Sequence, residues 1–311
     1  MEPRWALVSW EPCLEPPLEG FDHLDWGEAK SFAVAPMKRV LAACAVVLTA
    51  AVGVYFAAFY RPGPVEIQDD FENGFSPVWG WERPYQDAAR ILQDPRHTGK
   101  HVAGFFLKRD DALVQGAKRV EMKLGCVGLG EAYRYAFEAC LPDDYVPEAA
   151  VDNIAQWHDL PDFPVGETWR SPSLKLMIRD GRWLLSRRWS SAKVNRFLWE
   201  RMGRDANEEV DLGEVEKGKW VRWEFRVLWA WDDRGRLQVL RDGRSAYRKQ
   251  GPTAYRDWRG PYFKIGMYKP DWSVNPGVSS VNERHIYYDN VEVKRIPAAE
   301  VFADKLGGQR S

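Results

Sequence analysis

Apolar and polar residues alternate along much of this sequence with the two-residue period of a β-strand that is buried on one face. In the segment KWVRWEFRVLWAW (residues 219–231), every odd-numbered position from 221 to 231 is apolar, whereas positions 222, 224 and 226 are charged. Successive side chains of a strand point to opposite faces, so this segment predicts a half-buried antiparallel strand. The same period recurs in RVEMKL, YRYAFEA, IAQWH, SLKLMIRDGRWLLSRRW, RLQVLRDGR, PYFKIGMY and HIYYDNVEV.

Turn-forming residue pairs interrupt the alternating pattern. Three such pairs are Asp180-Gly181, Arg234-Gly235 and Asp242-Gly243, and pairs of this kind favour tight β-turns. Many short strands at this spacing predict an all-β fold, a two-sheet jelly-roll sandwich of the concanavalin-like type. We expect one such domain over residues 69–298, after a linker at residues 62–68 and before a C-terminal tail at residues 299–311.

An apolar segment precedes the predicted domain. Residues 40–60 contain no charged side chain over 21 positions, which is long enough for a helix to cross a bilayer. A Lys-Arg pair comes directly before it. This arrangement predicts an acidic cytoplasmic tail over residues 1–37, a transmembrane anchor over residues 38–61 and a domain outside the inner membrane, in the periplasm. A signal peptide that begins at Met37 is the alternative, and it predicts a secreted protein.

The composition narrows the possible functions. With 311 residues, of which 45% are hydrophobic and 29% charged, the chain is expected to fold. Its net charge of −1 predicts no general attraction to nucleic acid. Cys126 and Cys140 would lie in an oxidising compartment, where both a disulfide and two free thiols are open alternatives. The sequence contains no CxxC pair and no Cys/His spacing typical of zinc sites.

Three of the predicted strands carry chemically active side chains on one face. In IAQWH, the two-residue spacing places Gln156 and His158 on the same face and Trp157 on the other. The same rule groups Arg119, Glu121 and Lys123 in RVEMKL, and Tyr262, Lys264 and Tyr268 in PYFKIGMY. If the three strands share a sheet, these faces form one groove, in which Gly266 leaves room for a bound chain.

This set of side chains fits β-elimination on a polymer of uronic acids. The proton at C5 of a uronate is hard to remove, because a second negative charge develops beside the carboxylate. Arg119 and Gln156, with help from Lys264, would stabilise that charge as it forms. His158, or Tyr268 if deprotonated, could take the proton, and Tyr268 could protonate the leaving glycosidic oxygen. This chemistry requires no metal or organic cofactor.

The three motifs also resemble those of a known family. R-x-E at residues 119–121, Q-x-H at 156–158 and YFKxGxY at 262–268 are similar, in this order, to the signature strands of the jelly-roll polysaccharide lyases. That family includes alginate lyases, glucuronan lyases and the heparin lyase I type. DDFENG, YRYAFEACLPDDY, GKW and IYYDNVEV resemble segments of the heparin lyase I-like group, and the resemblance covers about residues 69–295.

The resemblance implies roles for individual residues. It implies that His158 and Tyr268 are the base and acid pair. Gln156 and Arg119 would neutralise the substrate carboxylate. Lys264 would bind the substrate. We also expect Tyr262 and Glu121 at the substrate, although Glu121 could instead hold Arg119 in place through an ion pair. Val120 occupies a position where alginate lyases usually have Ser or Thr. Trp157 occupies a position where they usually have Ile or Val. This difference disfavours alginate and leaves other uronate polymers open.

Two other functions compete with the lyase. Glu209 and Glu214 in EVDLGE match a pattern that resembles jelly-roll glycoside hydrolases, in which two carboxylates lie about 5 to 5.5 Å apart for retention. Against this, Gly213 and the residues that follow predict a turn that separates the two carboxylates. The second alternative is a membrane-tethered module that binds carbohydrate without catalysis.

A structural calcium ion is a further prediction from the sequence. Asp289 on the last strand, together with Asp69, Asp70 or Glu72 near the first, could supply the several oxygen ligands that calcium needs. The same acids could instead cap turns.

Overall fold

The computed structural model describes residues 39–47, 49–50, 63–94, 96, 99–190, 192 and 205–303. The chain divides into two compact units, Met1–Tyr60 and Arg61–Ser311. In the first unit, residues 39–47 and 49–50 are helical. The remaining positions of the predicted anchor, and the whole predicted cytoplasmic tail, lie outside the described residues. Within the described ranges, no helix is both long enough and apolar enough to span a bilayer.

The second unit consists mainly of antiparallel strands, as the alternating pattern predicted. Its described residues form β1 (Ile67–Asp69), β2 (Gly80–Glu82), β3 (Ala89–Gln93), β4 (His101–Lys108), β5 (Arg119–Cys126), β6 (Ala132–Cys140), β7 (Asp152–His158), β8 (Leu174–Arg179), β9 (Arg182–Ser190), β10 (Asp205–Glu214), β11 (Trp220–Leu228), β12 (Arg236–Arg241), β13 (Arg244–Gln250), β14 (Tyr262–Tyr268) and β15 (Glu283–Ile296). Short 3₁₀ helices lie at Gln86–Ala88, Phe163–Val165, Pro276–Val278 and Ala298–Phe302, and one α-helical turn lies at Asp271–Val274.

These strands form two sheets. One sheet has the order β13-β12-β11-β6-β15-β4-β3, with β1 paired to β15, and the other has the order β10-β9-β8-β7-β14-β5-β2. Residues of both sheets contribute to one buried apolar cluster. The predicted jelly-roll sandwich is therefore confirmed.

The inward faces of the two sheets meet in an aromatic core. Trp157 of β7 contacts Phe225 of β11 with 4.5 Å between ring centroids, and both side chains are fully buried. Trp183 of β9 packs against Trp223 of β11 at 5.3 Å. Burial of each such ring stabilises the fold by about 2 to 3 kcal/mol. Because Trp157 points into the core, the side chains on either side of it point away from the core.

Two of the three predicted turns have the expected backbone conformation, whereas neither residue of Arg234-Gly235 has a positive φ. Asp180 and Gly181, between β8 and β9, have φ values of 52° and 72°, and Asp242 and Gly243, between β12 and β13, have values of 51° and 76°. Two successive positive φ angles match the right-handed twist of the flanking strands. These turns fix the register of two hairpins.

Cys126 and Cys140 are free thiols. Cys126 ends β5 in one sheet and Cys140 ends β6 in the other sheet. Burial raises the pKa of Cys126 to about 12 and that of Cys140 to about 11. Both thiols are therefore protonated and unreactive at neutral pH. Of the two alternatives left open by the sequence, the structure contains the free thiols.

Candidate active site

The three motif strands are neighbours in one sheet, in the order β7, β14, β5. Tyr262 of β14 pairs with His158 of β7, and at the other end of β14 Tyr268 pairs with Arg119 of β5. Residues directly opposite each other on antiparallel strands project to the same face of the sheet. The structure therefore brings the polar faces of the three motifs together on the outer face, as predicted.

A cleft of about 340 Å³ lies over these strands. Its lining residues are Arg119, Asn153, Gln156, His158, Arg170, Ser171, Pro172, Lys175, Tyr268 and Pro270. His158 and Tyr268, the predicted proton-transfer pair, thus line the same cleft although they are more than 100 positions apart in the sequence.

Gly266 has a different role from the one predicted. Its φ is +144°, and a Cβ at this position would lie 2.3 Å from the carbonyl oxygen of Val120. The register between β14 and β7 shifts between Ile265 and Tyr268. The prediction that Gly266 leaves room for a bound chain is wrong, because the backbone of β5 fills that space. Its lack of a side chain instead lets β14 approach β5 closely just before Tyr268.

His158 is held as a neutral base. Its Nδ1 lies 3.0 Å from the backbone carbonyl oxygen of Asp159. A carbonyl oxygen only accepts hydrogen bonds, so Nδ1 carries the proton and Nε2 keeps its lone pair. Burial is the main cause that lowers the pKa of His158 to about 4. The ring stacks on Tyr262 with 5.6 Å between centroids, which places Tyr262 as a support for the imidazole.

Tyr268 is held as a neutral acid. Burial raises the pKa of its phenol, and the guanidinium of Arg119, 4.6 Å above the ring centroid, lowers it by less. The net direction is upward, so the hydroxyl stays protonated at neutral pH. The two proton-transfer groups thus have opposite capacities: one can accept a proton and the other can donate one.

Beneath these groups lies a charge cluster formed by Arg119, Lys123, Lys264, Glu82 and Glu121. Glu82 of β2 accepts hydrogen bonds from Arg119 at 3.0 Å, Lys123 at 2.8 Å and Lys264 at 2.7 Å. Glu121 lies 2.6 Å from Lys264 and 3.7 Å from Arg119. Three positive and two negative charges leave a net charge of +1 in the cluster.

Lys264 and Glu121 lie beneath the cleft surface. Each side chain is 1% exposed, and each forms its ion pair below the surface of the cleft. Lys264 is neutralised by Glu82 and Glu121 together, and contact of Lys264 and Glu121 with the substrate stays a prediction. The alternative that Glu121 holds Arg119 in place agrees with the ion pair between them.

Gln156 joins the charge cluster to the cleft. Its side-chain amide donates a hydrogen bond to Glu121, which fixes the nitrogen on the side of the carboxylate. An amide NH₂ group carries two hydrogens, so one remains for a ligand in the cleft. Sequence reasoning identified Gln156 but missed Glu82. The sequence did contain a sign of a missing acid, because three cations on two neighbouring strands need more than one carboxylate to neutralise them.

We expect Glu82→Gln to destabilise the protein. Burial alone would raise the pKa of Glu82, but the charge of Lys264 and the hydrogen bonds from Lys123 and Lys264 lower it to about 2. Removal of this buried charge leaves three cations against one carboxylate, which should lower the free energy of unfolding by about 3 kcal/mol. Denaturant unfolding measures the change, with Glu300→Gln at an exposed position as the matched control. Equal unfolding free energies for the two variants would contradict the role of Glu82.

The loop between β7 and β8 forms one wall of the cleft. Arg170 stacks over the ring of Tyr255 at 3.8 Å and donates a hydrogen bond to Asp257. Beside it, Trp169 is 52% exposed and its ring meets that of His158 edge-on at 5.3 Å. Sequence reasoning missed this wall, because the loop has no period and Asp257 lies 87 positions after Arg170.

Two groups of acidic residues contain oxygen atoms of the kind that bind metal ions. Among the described residues, Asp162, Glu167 and Asp257 have oxygens within 4.8 Å of one another, but Arg170 already pairs with Asp257. Asp69 accepts hydrogen bonds from the backbone N–H groups of residues 71 and 76 and from an indole N–H of residue 79. Asp69 thus caps a turn, and a calcium ion at Asp289 stays a prediction.

The two acids of the hydrolase alternative, Glu209 and Glu214, each pair with an arginine. Glu209 pairs with Arg179, whereas Glu214 lies 3.6 Å from Arg182. The register of β10 shifts between Asp211 and Glu214, as the predicted turn implied. Each carboxylate is thus engaged by a different arginine of the β8–β9 hairpin.

Comparisons with known proteins identify the family of this chain and solved structures with a similar fold. A family model described as polysaccharide lyase matches residues 71–292. A comparison with curated proteins gave no match. The structure of an endo-β-1,4-glucuronan lyase from Trichoderma reesei is similar with a TM-score of 0.59 and 20% identity, over 76% of this chain and 96% of that chain. An alginate lyase from Pseudomonas aeruginosa has a TM-score of 0.46 and 15% identity, over 70% of this chain and 98% of that chain. Because the family model covers more than half of the chain, this protein belongs to the polysaccharide lyase family.

Proposed function

We propose that this polysaccharide lyase cleaves a uronic-acid-containing polymer by β-elimination, with His158 as the base and Tyr268 as the acid. The proposal rests on one observation: a neutral imidazole and a protonated phenol line the same cleft above a cluster of net positive charge. Elimination needs one group that takes a proton and one that gives a proton. The cleft supplies both.

The charge cluster is suited to bind the carboxylate of the substrate and to stabilise the negative charge that develops on it. A uronate carboxylate over Arg119 and Gln156 would neutralise the net charge of +1 and receive hydrogen bonds from both side chains. When the C5 proton leaves, negative charge spreads onto the carboxylate oxygens. Donors that the cluster already holds in place stabilise this charge without reorganisation. Lys264 and Glu121 contribute by fixing Arg119 and Gln156 rather than by contact.

The proton and electron transfers then balance. Nε2 of His158 takes the C5 proton, and the electron pair of the C5–H bond forms a double bond between C4 and C5. The bond between C4 and the glycosidic oxygen breaks, and the Tyr268 hydroxyl protonates that oxygen. One fragment carries an unsaturated uronyl end and the other carries a new reducing end. No water is consumed, and solvent exchange restores both side chains.

A panel of purified polyuronates tests the proposal. The Trichoderma reesei neighbour is named a glucuronan lyase, so glucuronan is the first substrate to test, followed by glycosaminoglycans and alginate. A lyase produces ultraviolet-absorbing unsaturated ends together with reducing ends. Reducing ends without this absorbance would indicate a hydrolase, and binding without either product would indicate a sugar-binding module. Either result would overturn the proposal.

The pH dependence of the reaction should be broad on the acid side. Because burial lowers the pKa of His158 from 6.5 to about 4, the imidazole stays neutral and able to accept a proton until the pH falls through about 4. The raised pKa of Tyr268 keeps the phenol protonated at alkaline pH. We therefore expect kcat/KM to fall with an apparent pKa near 4, measured as initial rates at constant ionic strength. A fall centred near the ordinary histidine pKa of 6.5 would contradict the lowered pKa of His158.

A further inference from the structure

The cations that line the cleft differ in whether a carboxylate neutralises them. Arg119 pairs with Glu82 at 3.0 Å, and Arg170 pairs with Asp257. Within the described part of the chain, the ammonium group of Lys175 forms no ion pair and no hydrogen bond, although the side chain lines the cleft and is partly buried. A partly buried charge without a partner is costly. Lys175 therefore differs in kind from the other cations of the cleft.

A second cation, Arg188, lies next to Lys175. Arg188 is on β9, the strand that pairs with β8, and its Nε is buried without a hydrogen-bond partner among the described residues. Burial first, and then the charge of Arg188, lower the pKa of Lys175 to about 8, although the charge of Glu209 acts in the opposite direction. Two adjacent cations that disfavour each other's charge form a site that an anion would stabilise.

This cation pair adjoins the catalytic groups. Lys175 of β8 lies directly opposite Gln156 of β7 in the sheet register, so the two side chains project from the same face on neighbouring strands. Neighbouring strands are about 4.8 Å apart, which is close to the length that one sugar unit adds to an extended polymer. A polymer that places one carboxylate over Gln156 would bring the acidic group of the next unit toward Lys175.

We propose that Lys175 and Arg188 form a second anion-binding subsite, which takes the acidic group of the sugar unit next to the one that is cleaved. This inference rests on the proposed lyase function and extends it to the recognition of a polymer rather than a single unit. Both carboxylates and sulfate esters could bind two cations in this way. We assign the carboxylate, because the cleavage reaction already requires a uronate at the adjoining position.

Steady-state kinetics of Lys175→Gln on a carboxyl-only polyuronate test the subsite. Loss of one charge-assisted contact should raise KM about tenfold or more, while kcat changes by less than about twofold. The difference from wild type should vanish on the shortest oligouronate that is still cleaved, which does not reach the subsite. Lys175→Arg keeps the charge and should retain most of the affinity. Lys249→Gln, at an exposed position of β13 in the other sheet, is the matched control and should leave KM unchanged.

Binding measurements separate this inference from the proposed function. Retention in native gels that contain the polyuronate reports binding without catalysis. Product formation by the wild type, combined with unchanged KM and unchanged retention of Lys175→Gln, would overturn the subsite alone. No product from the wild type, combined with weaker retention of Lys175→Gln, would overturn the lyase function and leave the subsite standing. A KM effect confined to sulfated polymers would overturn the carboxylate assignment.

Thermal unfolding distinguishes a binding role from a structural one. If Lys175 is retained for ligand binding, replacing its unneutralised charge by Lys175→Met should raise Tm by about 3 °C or more. A residue that holds the fold together would instead lower Tm when replaced. A lower Tm for Lys175→Met, together with an unchanged KM for Lys175→Gln, would assign Lys175 to the scaffold.

Discussion

His158→Gln should reduce the rate of unsaturated product formation by about 10³-fold, the loss expected when a positioned general base is removed. Glutamine matches the size of histidine and can still donate a hydrogen bond to the Asp159 carbonyl, which holds Nδ1 of the wild-type ring at 3.0 Å. What it lacks is a basic nitrogen in place of Nε2. The initial rate at saturating polyuronate, followed by ultraviolet absorbance, measures the loss as a change in kcat.

The control for this variant is His285→Gln in the other sheet, on β15. It makes the same chemical change outside the cleft, so its rate should equal that of the wild type. Circular dichroism of both variants checks that the sandwich is intact. A His158→Gln enzyme that folds and keeps the wild-type rate would remove His158 from the reaction.

Tyr268→Phe should reduce the same rate by about 10² to 10³-fold. The substitution removes only the hydroxyl, and the ring that carries the Arg119 guanidinium at 4.6 Å stays in place. The free energy of unfolding should therefore change by less than about 1 kcal/mol. Tyr287→Phe on β15 makes the same change in the other sheet and should leave the rate of product formation unchanged.

The choice of leaving group tests the acid role of Tyr268 directly. A synthetic uronate with a nitrophenoxy group at C4 needs no proton donor, because nitrophenolate is a stable anion. On this substrate, Tyr268→Phe should recover most of the wild-type rate, whereas His158→Gln should not. Equal losses on both substrates would show that Tyr268 acts in some other way than as an acid.

The strands and the shared face of the motifs could be predicted from the sequence, since the two-residue period fixes the direction in which each side chain points. Gln156 and His158 follow this rule on either side of the buried Trp157. The order of β7, β14 and β5 within one sheet could not be derived from the period. That the three strands share one sheet was a hypothesis, and their order within the sheet was not predicted.

The partners of the predicted residues were harder to predict, because they come from distant parts of the chain. A lysine such as Lys264 is a residue type that binds anionic ligands, but Glu82, 182 positions earlier in the chain, accepts a hydrogen bond from its ammonium group. The sequence predicted open space at Gly266. The structure shows instead that the backbone of β5 lies too close for a side chain at this position. In both cases the local pattern gave the place of the residue on its strand, and the tertiary structure decided what lay beside it.

The position of Glu82 also bears on how short a working version of this enzyme can be. The three recognisable motifs begin at Arg119, so a fragment cut to start there would keep every proton-transfer group. It would nevertheless lose β2, and with it the carboxylate that Arg119, Lys123 and Lys264 share. Trimming experiments and sequence searches guided by the motifs alone would thus discard one of the two carboxylates that offset the three positive charges of the cluster.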